Sequence, residues 1–464
     1  MRRSLLILGV VVAGWTMLGI PAHATYGARV TADEPQYLLT ALSLGDDGDL
    51  DISDELESRA YRPFHRVDID PQTYPLDEAG RQISPHDPLL PTMLAVPMRI
   101  GGWVAAKATL AIFAAALAML TAWTAVRRFL VRPRVAFPVV GAFACTAPLA
   151  TYATQVYPEI PAALAVMIAA SVLTGVLDRR RITVVTLAVA ALPWLSIKYA
   201  PVAACLAGIT LWRLRDRRPL AGGVVAALGV AGAVYLLTHL AIYGGWTAYA
   251  SGDYFSQAGE FTVVGGTPNY LGRSRRLVGL LVDDGFGISA WMAGWLALPL
   301  AVGTMMRRRP ANGLLLMLPL AIGWLTATFV AATMHGWWWP GRQLVVVMPL
   351  AVICIAIAAN RSAALRRFLT ITATLGVCTW LWTTIEAILR RRALVVDFDR
   401  TANPWMRLWR LALPDGRSPT TADGILSLFW IGIVVALMVA GWRQPFQHPG
   451  LHRYFEVSKV NLTL

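Results

Sequence analysis

The chain has 464 residues, of which 56% are hydrophobic and only 15% are charged. A soluble globular protein carries about 25% charged residues, so this composition excludes that class, and its hydrophobicity excludes a disordered chain. The 41 Lys and Arg residues outnumber the 27 Asp and Glu residues, which gives a net charge of +14. Because the arginines are clustered between long apolar runs, we interpret this charge as a sign of membrane topology and not of nucleic-acid binding.

The first apolar run, residues 4–20, follows the basic residues Arg2 and Arg3. It ends before Ala22, His23 and Ala24, which have the small-residue pattern of a signal-peptidase site. The run is therefore either a cleaved signal peptide or a retained signal anchor. Both interpretations place the segment after it outside the cytoplasm.

Further apolar runs predict about 12 transmembrane helices in total, because a spanning helix needs about 20 mostly apolar residues. These runs cover residues 103–126, 135–154, 159–177, 182–197, 199–212, 219–242, 287–306, 312–333, 343–359, 368–388 and 423–441. Every connector that would then face the cytoplasm is rich in arginine, as the positive-inside rule requires. The predicted fold class is all-α: a polytopic transmembrane helical bundle in the plasma membrane, with both termini in the cytoplasm.

Two segments interrupt this pattern. Residues 88–100 are apolar but contain three prolines, and a full span there would move every later arginine cluster outside, so we predict a membrane-surface or re-entrant piece. The runs 182–197 and 199–212 are short and are separated by Lys198. We interpret them as a broken helix pair whose junction faces protein or water.

The predicted external loops are residues 23–102, 243–286 and 389–422. We divide the chain into a transmembrane catalytic region, 1–388, and a second part, 389–464, that holds an external loop, the last helix and a cytoplasmic tail. The four cysteines all fall inside predicted spans and have no CxxC spacing. Neither a disulfide framework nor a thiolate metal site is therefore supported.

The first external loop contains a run of acidic residues between positions 46 and 57. One interpretation is a solvated surface, and the alternative is calcium binding. The spacing does not match an EF-hand loop, which needs Gly at its sixth position and Glu at its twelfth.

Asp33 and Glu34 form an acidic pair shortly after the first helix, followed by Pro35. Because carboxylates and proline suit the first turn of a helix, the pair can be a simple helix start, here of an amphipathic surface helix. The functional interpretation is a general base at the level of the lipid head groups.

Glu159 is the single charged residue between Arg134 and Asp178. An ionised side chain inside the membrane costs about 2.5–3.5 kcal/mol on insertion scales, so it is a functional candidate by default. The structural alternative is a Glu159 that pairs with an arginine. The two carboxylates, Asp33 and Glu159, are expected to meet in one external cavity.

Three cations of the predicted outer face are candidates for binding an anionic group. They are Lys198, at the junction of the short helices, Arg342, and Arg273 in the middle external loop. Tyr157 and Tyr199, in the segments of Glu159 and Lys198, are further substrate-binding candidates, and so is His86 in the first external loop. The tryptophans at 337–339, just before Arg342, are either an interfacial belt or a stacking platform for a sugar.

His86 and Asp87, together with Asp283 and Asp284, raise the question of a metal. The additional histidine ligands at helical spacing that a catalytic zinc site uses are missing. We therefore expect no cofactor, and a divalent cation that assists the phosphate is the alternative that we keep.

These features together resemble the GT-C superfamily of integral-membrane glycosyltransferases, which use polyprenyl-phosphate sugars and include protein O-mannosyltransferases and the aminoarabinose transferase. The shared features are the early acidic pair, the large first external loop with surface helices and about a dozen spans. Several motifs resemble an uncharacterised bacterial branch: residues 33–38, 84–91, 155–161, 279–287 and 339–342.

The resemblance implies that Asp33 is the catalytic base and that Glu159 is the second acidic position. It implies transfer with inversion from a polyprenyl-phosphate donor, whose phosphate would be met by Lys198, Arg342 and Arg273. The acceptor would be a hydroxyl of a cell-envelope glycan, glycolipid or protein at the outer face, and no nucleic acid is involved. Where the branch has Gly after the histidine of the second motif, this chain has Asp87 after His86.

Two other functions are compatible with this topology. A transporter or flippase of a lipid-linked saccharide predicts ionisable residues near the midplane of several helices, whereas this chain concentrates them at one face. A non-catalytic protein of envelope assembly is the other alternative, and an activity assay separates it from an enzyme.

Overall fold

The structure is a computed structural model, and it describes residues 1–73, 80–244, 246, 249–257, 269–310, 312–331 and 333–443. Within these residues the chain is helical, and its β-structure is limited to isolated bridges such as the one between Thr25 and Ala28. This confirms the predicted all-α fold class. The predicted cytoplasmic tail beyond residue 443 and residues 258–268 of the middle external loop lie outside the described residues.

The first part of the chain forms α1 (Arg2–Met17), α2 (Glu34–Asp46), α3 (Ser53–Glu57), α4 (Leu89–Arg128), α5 (Pro133–Ala144), α6 (Leu149–Tyr152), α7 (Glu159–Leu173), α8 (Arg179–Leu195), α9 (Ala200–Arg213) and α10 (Arg218–Tyr243). The second part forms α11 (Ala250–Gln257), α12 (Tyr270–Arg273), α13 (Arg276–Val282), α14 (Ile288–Trp291), α15 (Ala297–Arg308), α16 (Leu314–Leu325), α17 (Met348–Ala359), α18 (Ala363–Ile388), α19 (Pro404–Arg410) and α20 (Thr421–Arg443). Single 3₁₀ turns lie at Ile197–Tyr199, Ala293–Leu296, Arg342–Leu344 and Phe398–Arg400.

Four of the described helices, α4, α10, α18 and α20, are long and apolar enough to cross a membrane. On α10 and α20 most of the apolar side chains point outward; Val230 is 64% exposed and Leu428 is 70% exposed. A continuous apolar face of this kind is stable in hydrocarbon and unstable in water, which agrees with a membrane protein. Other predicted spans coincide with shorter apolar helices such as α7 and α17, so the number of about 12 spans stays a prediction.

The chain is interrupted at the two places where the sequence predicted an irregularity. Helix α8 ends at Leu195, Ser196 is extended with φ −171° and ψ 134°, and Lys198 lies in a 3₁₀ turn before α9. The proline-containing piece 88–100 is helical and forms the first part of α4. Gly101 and Gly102 depart from helical geometry and separate it from the long apolar part of the same helix.

Helix α2 differs from the expected amphipathic surface helix. It packs against α4, and Tyr37, Leu38 and Leu39 are almost fully buried. Its polar side chains Gln36 and Thr40 are also buried. The helix is therefore enclosed by protein, which fixes the position of the acidic pair at its start.

Helices α15 and α20 pack so closely that a glycine is required at their crossing. A Cβ atom at Gly441 would lie 2.1 Å from the carbonyl oxygen of Leu300 in the α15 backbone. Close approach through small residues is a common way for membrane helices to associate, because lipid supplies no hydrophobic force between them.

We expect Gly441→Ala to separate these helices and to destabilise the protein by about 1–3 kcal/mol, since backbone cannot move aside as a side chain can. The change is measured by thermal unfolding of the purified protein in detergent. Gly432→Ala on the same helix is the matched control, because nothing lies within 4 Å of its Cβ position. Equal unfolding temperatures for the two variants would contradict the close packing of α15 on α20.

Candidate active site

A large cavity brings together most of the residues that the sequence singled out. Its volume is about 870 Å³, within the range of pockets that hold a substrate-sized ligand. Its lining comes from the start of α2, the loop before α4, the turn between α8 and α9 and the segment before α17. The polar and aromatic residues in this lining include Asp33, Tyr37, His86, Lys198, Tyr199, Tyr249, Trp337, Trp338 and Arg342.

Asp33, Lys198 and Arg342 line this cavity, and Glu159, which lies outside its lining, joins them in one connected cluster of two carboxylates and two cations. The Nε of Arg342 donates to Oε1 of Glu159 at 2.8 Å, and its Nη2 donates to Oδ2 of Asp33 at 3.0 Å. The Nζ of Lys198 donates to the same Glu159 oxygen at 2.7 Å. We call these four residues the ion-pair cluster; their formal charges balance, and the Glu159 side chain is only 1% exposed.

Local backbone structure explains how each member of the cluster reaches this place. Asp33 is the N-cap residue of α2 and Glu159 is the first residue of α7, and a helix N-terminus favours a carboxylate through its dipole. Arg342 follows Gly341, whose φ of +83° is one that side-chain-bearing residues rarely adopt. A Cβ on Gly341 would also lie 2.9 Å from Cγ2 of Ile288, so glycine is required at this turn.

Two aromatic rings pack near the guanidinium of Arg342. Its Cζ lies 4.0 Å from the ring centre of Tyr157 and 5.3 Å from that of Trp338. Trp337 also lines the cavity and is 63% exposed, whereas Trp339 is fully buried. The three tryptophans therefore have different environments, and Trp338 packs on the arginine instead of forming part of a uniform belt.

Asp33 and His86, which both line the cavity, have different charge states. Burial by itself raises the pKa of the Asp33 carboxyl, but the charge and hydrogen bond of Arg342, together with the charges of other nearby groups such as Lys198, outweigh burial and hold that pKa below its usual value. Burial lowers the pKa of His86, and Asp33 opposes this only in part. His86 is therefore neutral at physiological pH; its Nε2 lies 3.0 Å from the amide oxygen of Gln72.

Glu34 is not brought to the cavity. One of its carboxylate oxygens accepts from the backbone N–H of Thr31 at 2.9 Å, and the other accepts from the N–H of Val156 at 2.6 Å. Its side chain therefore connects the start of α2 to the segment that leads into Glu159. The contacts give Glu34 a part in positioning the two acidic segments.

Asp87 is a residue whose place the sequence did not indicate. Its carboxylate accepts from the Tyr235 hydroxyl of α10 at 2.8 Å and from the backbone N–H of Ile197 at 3.2 Å, and His239 lies 3.3 Å away. Ile197 precedes Lys198, so Asp87 fixes the turn that carries this cation. The one sequence signal for this contact was the presence of an acidic residue at position 87, where the bacterial branch that the sequence resembles has glycine.

Several other candidates lie outside the cavity lining. The guanidinium of Arg273 donates to the carbonyl of Phe329 at 2.6 Å, and Asp284 pairs with Arg410 at 3.0 Å. Asp283 accepts from the backbone N–H of Phe286 at 2.6 Å. Among the described residues, the one group of three acidic or histidine ligands that could hold a metal is Asp47, Asp54 and Glu55, which also lies outside this lining.

No protein-family sequence profile matches the chain, and no curated protein sequence matches it. The fold is similar to that of ArnT from Cupriavidus metallidurans bound to undecaprenyl phosphate, with a TM-score of 0.56 and 16% identity over 94% of this chain and 76% of ArnT. At this identity the similarity shows the fold alone, and it is the fold that the resemblance to the GT-C superfamily led us to expect.

A more distant structure is the oligosaccharyltransferase AglB from Archaeoglobus fulgidus, in complex with an inhibitory peptide and a dolichol-phosphate. Its TM-score is 0.39 at 12% identity, and the alignment covers 99% of this chain but only 58% of AglB. This similarity is too low to carry an argument about the site.

Proposed function

We propose that this chain, which has the GT-C fold, is a membrane glycosyltransferase that moves a sugar from a polyprenyl-phosphate donor to a hydroxyl of a glycan, lipid or protein acceptor. The observation that carries the proposal is the ion-pair cluster beside a cavity of about 870 Å³. A purely structural cluster does not need a large adjoining space, whereas a donor phosphate and its sugar do.

The cations of the cluster suit a phosphate that gains charge during the reaction. The donor phosphodiester carries one negative charge, and the polyprenyl phosphate that leaves carries about 1.5 to 2 at neutral pH. Arg342 and Lys198 therefore stabilise the leaving group more strongly than the bound donor, which lowers the barrier of the reaction. Arginine also offers two parallel donors to phosphate oxygens.

Binding of the donor phosphate by Arg342 would also release Asp33, the proposed base, from its ion pair. When the phosphate takes Arg342, the carboxylate of Asp33 loses the charge that lowers its pKa and becomes a better proton acceptor. The acceptor oxygen then attacks the anomeric carbon from the face opposite the phosphate, its proton passes to Asp33, and the bond between the anomeric carbon and the phosphate oxygen breaks. A single displacement of this kind inverts the anomeric centre.

The arrangement of the helices supports a site at the extracytoplasmic face. Glu159 begins α7, and the arginines at 179–181 begin α8 directly after the far end of α7. Arginine-rich ends of this kind face the cytoplasm by the positive-inside rule. The cluster is at the opposite helix ends, where a donor delivered in the outer leaflet would meet it.

The proposal is tested with the purified chain in proteoliposomes, by measuring release of polyprenyl phosphate and glycosylation of a hydroxyl acceptor. We expect Lys198→Met to lower transfer by about 10- to 100-fold, as the loss of one charged hydrogen bond to the leaving group implies. Arg99→Met is the control, because Arg99 is exposed and pairs with Asp46 at 3.7 Å. Movement of the lipid-linked sugar across the bilayer without a covalent product would favour a transporter.

A further inference from the structure

The acidic run of the first external loop has seven members, and six of them fall into two groups by their contacts. Asp46 pairs with Arg99, and Asp49 and Asp51 accept hydrogen bonds from hydroxyl or backbone groups close by in the loop. Asp47, Asp54 and Glu55 instead face one another, with one oxygen of each within 4.8 Å of the others. None of the ion pairs in the described part of the chain includes any of these three residues.

Glu55 is the unusual member of this trio. It is only 4% exposed, and its Oε2 atom is buried without a hydrogen-bond partner among the described residues. A buried carboxylate oxygen without a partner is unfavourable unless a cation or a donor meets it.

We propose that Asp47, Asp54 and Glu55 bind a Ca²⁺ ion that joins the end of α2 to α3. Oxygens on one Ca²⁺ lie about 2.3–2.6 Å from it and are therefore at most about 5 Å apart, a limit that the trio satisfies. Asp47 is the C-cap residue of α2, where the helix dipole also favours a cation. Ca²⁺ fits better than Mg²⁺, because it accepts irregular oxygen ligands with bidentate carboxylates and needs no octahedral shell.

This site is separate from the cavity and does not depend on the proposed transferase activity. Its structural effect is on α2, whose N-cap residue is Asp33 and whose last residue precedes Asp47. An ion at the far end fixes the helix in register with α3. Asp47 and Asp54 are both exposed, so the remaining ligands are water and the affinity is in the range of extracellular calcium modules, about 0.1–1 mM.

The test uses the full chain in nanodiscs, first stripped with a chelator and then titrated with CaCl₂. Binding is followed by isothermal titration calorimetry and by the thermal unfolding temperature. We expect saturable binding of Ca²⁺, a rise in unfolding temperature with its concentration, and a weaker response to MgCl₂. Absence of a saturable response up to about tenfold above the expected range overturns the proposal.

Two variants locate the ion. Asp54→Asn changes an exposed side chain and is expected to leave the fold intact. Glu55→Gln keeps the volume of the buried side chain. We expect each variant to raise the apparent Kd for Ca²⁺ at least about tenfold. Asp46→Asn is the matched control and keeps the wild-type Kd, because Asp46 lies outside the trio. Unchanged affinity in both variants overturns the assignment.

Discussion

Asp33→Asn is expected to lower the rate of sugar transfer by about 10²–10⁴-fold, the contribution of a general base. Asparagine keeps the size of the side chain and still accepts a hydrogen bond from Arg342, but it cannot take the proton of the acceptor hydroxyl. The rate is measured as turnover of a polyprenyl-phosphate sugar by the purified protein in proteoliposomes. Asp46→Asn, the same chemical change at an exposed position of the first external loop, serves as the control.

Donor binding separates a base from a merely structural aspartate. The Asp33 carboxylate and the donor phosphate both compete for Arg342, so removing the carboxylate charge should leave donor affinity unchanged or increase it. The Kd for the polyprenyl-phosphate sugar is therefore measured beside turnover. A variant that loses affinity and turnover together would indicate a distorted site, and a variant that keeps wild-type turnover would exclude Asp33 as the base.

The members of the ion-pair cluster were predictable because charged residues are costly in an apolar chain. Glu159 and Lys198 stood out as isolated charges in long apolar segments, and Asp33 and Arg342 stood out at the ends of such segments. The sequence therefore identifies these four charged side chains as unusual. It did not indicate their pairing, since Arg342 contacts residues 183 and 309 positions away along the chain.

Other parts of the site follow from three-dimensional packing and left little trace in the sequence. In the sequence Arg273 was a candidate for phosphate binding just as Arg342 was, but its guanidinium donates a hydrogen bond to the carbonyl of Phe329. Glu34 sits beside Asp33 along the chain and yet points to backbone N–H groups, because successive residues at the start of a helix face different directions. The contact of Asp87 with α10 joins residues 148 positions apart, and no local pattern predicts such a contact.

The positions of the helices could be predicted from local sequence, whereas their burial depends on contacts with distant segments. Apolar runs located most of the helices, and Lys198 marked the interruption between α8 and α9. Burial of α2 was not predictable, because enclosure depends on α4, which lies far along the chain and supplies the facing surface. A local pattern reports the propensity of a segment, and tertiary contacts decide which of its faces meet solvent.

Arg342→Met is expected to have the second large effect, on both stability and donor binding. It leaves Asp33 without a cation and Glu159 with Lys198 alone, and breaking a buried pair by removing one partner costs about 3–5 kcal/mol. It also removes two charged hydrogen bonds that the proposal transfers to the phosphate. We therefore expect the affinity for polyprenyl phosphate to fall by about 10- to 100-fold or more.

The double variant Arg342→Met with Asp33→Asn separates these two effects. It restores the charge balance of the cluster, because the remaining Glu159 and Lys198 still pair at 2.7 Å, so thermal stability should recover most of what the single change removed. Donor affinity should stay low, because the change at Asp33 does not replace the guanidinium that binds the donor phosphate. If affinity recovered together with stability, Arg342 would serve the fold alone, and recognition of the phosphate would belong to other residues of the cavity.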